Sequence, residues 1–246
     1  MSPFSLTGRK ALVTGANTGI GQAIAVALAQ AGANVVCGGR RSCAETIDKI
    51  AKNGGTGSEI ILDFADPMAA KDIFADGSFD ILVNNAGIIR REDATEFSEA
   101  DWDDVMDVNA KALFFTCQAF AKPLIAAGKT GKIVNIASLL SFQGGIRVPS
   151  YTASKHAVAG LTKLMANEWA AKSINVNAIA PGYIATNNTE ALRNDPARNQ
   201  AILERIPAGR WGDADDIAQT AVYLAAPASN YVHGAVLNVD GGWLAR

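Results

Sequence analysis

The stretch "KALVTGANTGIGQAIAVALAQAG", residues 10–32, decides the fold. An apolar run of strand length (10–15) passes through Gly15, Gly19 and Gly21 into an alanine-rich segment with helix-forming composition. Glycines at those points allow a tight strand-to-helix turn. They also let the backbone approach a pyrophosphate, which the unpaired amides and partial positive charge of a helix N-terminus then stabilise. The bland alternative is a glycine turn with no ligand, and the placement directly between strand and helix argues against it.

Six further apolar runs lie downstream: "NVVCGG" (34–39), "EIILDF" (59–64), "DILVNNAG" (80–87), "KIVNIAS" (132–138), "INVNAIAPG" (174–182) and "AVLNVDGG" (235–242). Helix-like segments separate them. Nearly continuous apolar strands joined by helices make a parallel sheet covered on both faces, because each parallel connection needs a crossover. The expectation is an α/β chain, a Rossmann-like doubly wound parallel seven-stranded sheet, forming a single domain over residues 1–246. Ligands in such folds sit beyond the carboxyl ends of the strands. No internal repeat or low-complexity tract interrupts the chain. The segment 183–210 is the least periodic, broken by Pro196, Pro207 and Gly209, and is expected to act as a substrate lid.

The 246 residues are 49% hydrophobic and 19% charged, enough for one large core and too few for two comfortable domains. A formal net charge of −2 gives no reason to expect nucleic acid or an anionic membrane surface as partner, which leaves a small-molecule substrate. Cys37, Cys43 and Cys117 form no C-x-x-C arrangement, which suits a reducing cytoplasm. The opening "MSPFSLTGRK" lacks a charged start followed by an apolar run, and no stretch of about 18 apolar residues follows, so neither signal peptide nor membrane span is expected. His156 and His233 are far apart in sequence, and no metal site is expected.

A second stretch, "SYTASKHAV" (150–158), sets Tyr151 and Lys155 one helical turn apart on the same face. A free phenol titrates near ~10, and an ammonium within about 4 to 6 Å favours its ionised form. Such a pair suits proton transfer, although by itself it is more often an ordinary amphipathic helix with surface residues.

Further elements stand in order with these two stretches: "NNAG" (84–87), Ser138 thirteen residues before Tyr151, and Pro181-Gly182 after the sixth run. Together with the T-G-x-x-x-G-x-G order of the first loop, the chain from about Leu6 onward resembles the short-chain dehydrogenase/reductase family. The resemblance implies a catalytic tetrad of Asn109, Ser138, Tyr151 and Lys155. Tyr151 would exchange a proton with the substrate oxygen, Ser138 would orient that oxygen, Lys155 would depress the tyrosine and bond the nicotinamide ribose, and Asn109 would hold a water linking Lys155 to solvent. It also implies cofactor contacts from Gly15, Asn17, Thr18, Gly19, Ile20 and Gly21, with Tyr151 and Lys155 from the tetrad. Asp63 and Phe64 would sit at the adenine, Asn85, Ala86 and Gly87 along the adenosine, and Pro181, Gly182, Ile184 and Thr186 at the nicotinamide.

In dinucleotide folds a carboxylate about 20 positions past the glycine loop bonds the adenosine 2′-hydroxyl. Gly39 stands there instead, followed by Arg40 and Arg41. Glycine leaves room for a 2′-phosphate and a guanidinium grips one bidentately, so NADP(H) is favoured over NAD(H).

Residues 88–106, 141–155, 174–189, 205–212 and 239–246 resemble the members of the family that act on deoxy sugar acids of the 2-dehydro-3-deoxy-D-gluconate type. Arg90, Gln143 and Arg147, with Ser138 and Tyr151, are the expected substrate contacts, since a sugar acid offers a carboxylate and hydroxyls to guanidinium and amide groups. The alternatives are a 3-oxoacyl carrier-protein reductase, which needs an apolar channel and a basic docking patch, and a nonenzymatic nicotinamide-nucleotide sensor on the same fold. The apolar helix 157–169 and the terminal "GGWLAR" resemble the surfaces through which the family forms tetramers, so a homotetramer is expected.

Overall fold

Each apolar run becomes a strand because its side chains are buried on both faces of one sheet. In the computed structural model, which describes residues 2–245, the strands are β1 (Lys10–Thr14), β2 (Asn34–Gly39), β3 (Thr56–Ile61), β4 (Ile81–Asn84), β5 (Gly131–Ile136), β6 (Ile174–Pro181) and β7 (Val236–Val239). All pair in parallel, in the order β3-β2-β1-β4-β5-β6-β7. Every residue of the interior strand β6 is buried, as a two-sided strand requires.

Side chains alternate between two cores. Val13, Val35, Ile81 and Val83 pack under α1 (Gly19–Gln30) and α8 (Ala214–Ala225), while α2 (Ala44–Lys52) adds Ile50. On the other face Leu12, Leu82 and Ile133 meet α4 (Ala112–Ala126) and α5 (Pro149–Trp169) through Phe120, Leu124, Val158 and Met165. Truncating a fully buried leucine such as Leu82 to alanine costs about 2–5 kcal/mol. α3 (Glu99–Met106) runs into α4 through a π-helical turn, Asp107–Lys111.

Two expectations shift. β3 begins three residues earlier than its apolar run, because an edge strand is defined by its ladder with β2 (Asn34 to Gly39 opposite Thr56 to Ile61), whereas Leu62 and Phe64 dip into the core beyond it. The connection from β3 to β4 is not a helix. A series of i→i+3 turns carries it, anchored by Phe74 edge-on to Phe79 at 5.3 Å and to Phe120 at 5.5 Å.

Residues 183–210 contain two short helices, α6 (Glu190–Arg193) and α7 (Pro196–Arg205). Ile202 and Ile206 form a small satellite core with Leu139 and Trp243. The apolar tail expected to be surface is therefore partly interior: Trp243 is 4% exposed, 4.7 Å from the Tyr183 ring and under the Arg205 guanidinium at 4.0 Å. No helix among the described residues is long and apolar enough to cross a membrane.

Candidate active site

The carboxyl ends of β1, β4, β5 and β6 deliver the glycine loop, residues 85–87, Ser138 and Gly182 to one edge of the sheet. β1 and β4 are neighbours although their connections leave in opposite directions, which is where a doubly wound sheet opens a crevice.

Gly15 and Gly19 hold φ of +65° and +58°, a region that side chains with a Cβ rarely adopt. A Cβ on Gly21 would collide with the Gly15 carbonyl and the Asn85 amide. Thr18, at the N-cap of α1, makes no side-chain cap bond, so the first amides of that helix are left to face an anion. This cradle fits a dinucleotide pyrophosphate. Its shape is enforced by a residue the sequence did not single out, Thr14. The Thr14 hydroxyl accepts hydrogen bonds from the Asn85 and Ala86 amides, both at 3.0 Å. The Asn85 side chain, expected to line an adenosine, instead donates to the carbonyls of Thr14 (3.0 Å) and Gly15 (3.1 Å) and so braces the loop.

Tyr151 lies in the first turn of α5, which Pro149 starts with its preset φ. One turn on, Lys155 is 5% exposed, with Nζ donating to the Ile136 carbonyl at 2.7 Å and 5.5 Å from the Tyr151 ring centroid. Burial brings the Lys155 ammonium down to about 8. Burial also pushes the Tyr151 phenol above its usual range, against the pulls of a hydrogen bond with Ser138 and the charge of Arg91. The expected source of that downward pull was Lys155. Its Nζ turns to the Ile136 carbonyl, and the pulls on the phenol come from Ser138 and Arg91.

Asn109 occupies the π-helical turn, a conformation frequent at functional sites. Its side chain accepts from the Ile88 amide and donates to the Ile88 carbonyl, both at 2.9 Å, and to Ser154 Oγ at 3.2 Å. A water link from this residue would have to run through its main chain. Gly87 is needed against it, since a Cβ there would come within 3.1 Å of Asn109 Oδ1.

The remaining expected contacts divide. Thr186 lies beside the glycine loop, its Cγ2 3.5 Å from where a Gly19 Cβ would stand, and Thr189 Oγ1 accepts from its amide at 3.1 Å. Ile184 is buried, and the strand end continues through Ala185 N–H to the Gly212 carbonyl at 2.8 Å. Gly182 packs on the Asp240 backbone after Pro181. Asp63 is exposed, with Oδ1 held by the Ala65 amide at 3.0 Å. Phe64 is a core side chain, so only its main chain is left to face a ligand. Asn17, Thr18 and Ile20 stay on the glycine loop and the first turn of α1. Ala86 follows on the β4 end.

At the mouth, two of the expected substrate arginines are already engaged. Arg90 forks onto Asp101 (3.1 Å) and Asp104 (2.9 Å), and Arg147 onto Glu92 (3.0 Å) and Asp93 (3.1 Å). Arg147 further has φ +62° and its carbonyl accepts from the Glu92 amide at 3.1 Å, so it clasps two loops together. Gln143 Oε1 accepts from the Trp243 indole at 3.3 Å. Arg91 was overlooked. Its charge acts on the phenol, it has no ion pair among the described residues, and it reaches the Asn188 carbonyl at 3.5 Å. Its sequence signal was adjacency alone, since two arginines in a row cannot both turn toward α3.

Residues 15–244 match a family model described as enoyl-(acyl carrier protein) reductase. The chain is 55% identical over 251 residues to a 2-dehydro-3-deoxy-D-gluconate 5-dehydrogenase from Dickeya dadantii, covering 100% of this chain and 99% of that protein. It is 57% identical over 248 residues to an enzyme of the same name from Bacillus subtilis, covering 99% and 97%. Among solved structures, a provisionally named 2-deoxy-D-gluconate 3-dehydrogenase from Agrobacterium tumefaciens with bound NADP is 76% identical, with a TM-score of 0.99 and full coverage of both chains.

Proposed function

This chain belongs to the short-chain dehydrogenase/reductase family and is an NAD(P)-dependent oxidoreductase acting on CH–OH groups; from that premise we propose that it interconverts 2-dehydro-3-deoxy-D-gluconate and its 2,5-diketo partner. The observation that carries the chemistry is the placement of the half-buried Tyr151 one helical turn before the buried Lys155, whose Nζ lies 5.5 Å from its ring, with Ser138 and Arg91 acting on the phenol. The substrate class is supported by the full-length similarity to enzymes of that name.

A nicotinamide cofactor, when bound, supplies or takes the hydride. As the ketone is reduced, Tyr151 gives its phenolic proton to the oxygen on which charge develops, and Ser138 donates a hydrogen bond to the same oxygen. Burial keeps that phenol protonated at neutral pH, which suits reduction. In the oxidative direction Tyr151 must first lose its proton, and the pulls of Ser138 and of the Arg91 charge favour that ionised form. Lys155 would also meet the cofactor ribose, and the main chain at Asn109 would hold a water that relays protons between Lys155 and solvent. Arg91, which makes no ion pair among the described residues, would hold the substrate carboxylate. The loop 15–21 would bind the pyrophosphate, with Asp63 at the adenine and Ile184 and Thr186 at the nicotinamide. Residues 183–210 would close over the substrate.

NADP(H) is the preferred cofactor in this reading. Arg40 and Arg41 make no ion pair among the described residues, and a bidentate guanidinium suits a 2′-phosphate. The Agrobacterium relative binds NADP. A homotetramer suits Leu164 of α5, 46% exposed, and Trp102 of α3, 41% exposed; sedimentation as a monomer would remove it.

The test is the initial rate of cofactor oxidation with the 2,5-diketo-3-deoxy sugar acid and, in parallel, with a 3-oxoacyl thioester, each with NADPH and NADH. Turnover of the sugar acid, faster with NADPH, is expected. Turnover of the thioester alone would overturn the substrate assignment.

A further inference from the structure

β2 ends at Gly39, and the chain must turn through Arg40, Arg41 and Ser42 before α2 begins at Ala44. A helix start needs a side-chain oxygen to take its first amides, and the residue at that position is Cys43, which makes no cap bond. The missing acceptor is imported from the edge strand. Glu59 of β3 accepts the Cys43 amide at 2.5 Å and the Ser42 hydroxyl at 3.0 and 3.3 Å on its two oxygens. Ser42 Oγ in turn accepts the Ala44 amide at 3.2 Å. One carboxylate thus ties the end of the turn, at Ser42 and Cys43, to the neighbouring strand.

The shape so fixed bears on cofactor choice. The loop folds back over Gly39 so closely that a Cβ there would come within 2.9 Å of the Arg41 carbonyl and 3.1 Å of Cys43 Sγ. No carboxylate side chain fits at Gly39 to take a ribose hydroxyl. Arg40 and Arg41 remain exposed, and the Glu59 carboxylate is spent on Ser42 and the main chain instead of on either guanidinium. A loop already held in place loses less freedom when it closes on a ligand.

We propose that Glu59 is a positioning residue for cofactor selection: it holds the 40–43 turn in the form that presents Arg40 and Arg41 to a 2′-phosphate and leaves no room for an acidic residue at 39. The inference rests on the NADP(H) reading above. It acts on the phosphate-bearing cofactor alone, so its signature is a change in discrimination and not a general loss of binding.

The experiment is titration of the purified full chain with NADPH and NADH, followed by nucleotide fluorescence, for wild type, Glu59→Ala, Glu59→Gln and Arg40→Ala. Glu59→Ala is expected to weaken NADPH about tenfold and NADH less than twofold. Glu59→Gln, which keeps one acceptor oxygen, is expected to weaken NADPH about threefold. A Glu59→Ala ratio of NADPH to NADH affinity within twofold of wild type, whether both cofactors weaken or neither does, overturns the proposal. Tighter NADPH binding by Glu59→Gln also overturns it, because the carboxylate would then be acting by repulsion. If Arg40→Ala abolishes the preference while Glu59→Ala does not, the Glu59 role alone falls. If wild type shows no preference and Arg40→Ala changes nothing, the NADP(H) reading falls first.

Discussion

Lys155 and Arg147 stand eight residues apart in the chain and in opposite surroundings. Lys155 is 5% exposed, without a carboxylate partner among the described residues, and its ammonium rests on the Ile136 carbonyl. Arg147 is about half exposed and holds two carboxylates at 3.0 and 3.1 Å. The floor of the site keeps an uncompensated charge out of water, where burial alone moves its titration. The mouth neutralises its charges in pairs, and exposed pairs of that kind contribute at most about 1 kcal/mol each. In the proposed reading reactivity belongs to the floor, and the guanidiniums of Arg90 and Arg147 at the entrance staple loops.

The sharpest way to break that contrast after Tyr151 itself is Ser138→Ala. Loss of a single donor to a developing oxyanion should lower kcat by about 10² to 10³ in the steady state, with cofactor affinity held. A fall of less than fivefold would mean the floor is not organised around that oxygen. The mouth is tested next. Arg91→Ala should raise KM for the sugar acid roughly tenfold, the scale of one charge-assisted hydrogen bond, whereas Arg90→Ala should change it less than threefold. Equal effects from both would erase the distinction between a spent and a free guanidinium.

The smallest effect concerns pH. In the folded chain Lys155 titrates at about 8, below the ordinary lysine value of about 10.4. Between those values the unfolded chain binds more protons, so this group's contribution to stability rises with pH across that window and its cost is greatest below it. Lys155→Met removes the cost. Its Tm relative to wild type should be highest near pH 7 and drop by a few degrees on going to pH 10. A difference that does not vary with pH would show that the lysine is not held in a dry site.

The sheet was legible because a two-sided parallel strand leaves a continuous apolar run; of the tetrad, residue spacing carried only the one-turn pairing of Tyr151 with Lys155, and Asn109 and Ser138 came from the family resemblance. β3 was displaced because an edge strand is set by its partner's register, and its own polar start, Thr56-Gly57-Ser58, carries no apolar signal. The mouth was harder to read. Which arginine pairs with which carboxylate depends on how α3 and the 88–93 loop approach each other, and identical side chains at 90 and 91 take opposite fates. Thr14 and Glu59 act through hydrogen bonds between distant segments, and neither lies in a spacing that marks it.

The most direct measurement is single-turnover reduction of the 2,5-diketo sugar acid by wild type and Tyr151→Phe at saturating NADPH, near pH 7. A fall of about 10³ or more, with NADPH affinity within twofold, is expected if the Tyr151 phenol delivers the proton. A Tyr151→Phe rate within tenfold of wild type would show that another group, or solvent, protonates the product, and would contradict the role assigned to the floor of the site.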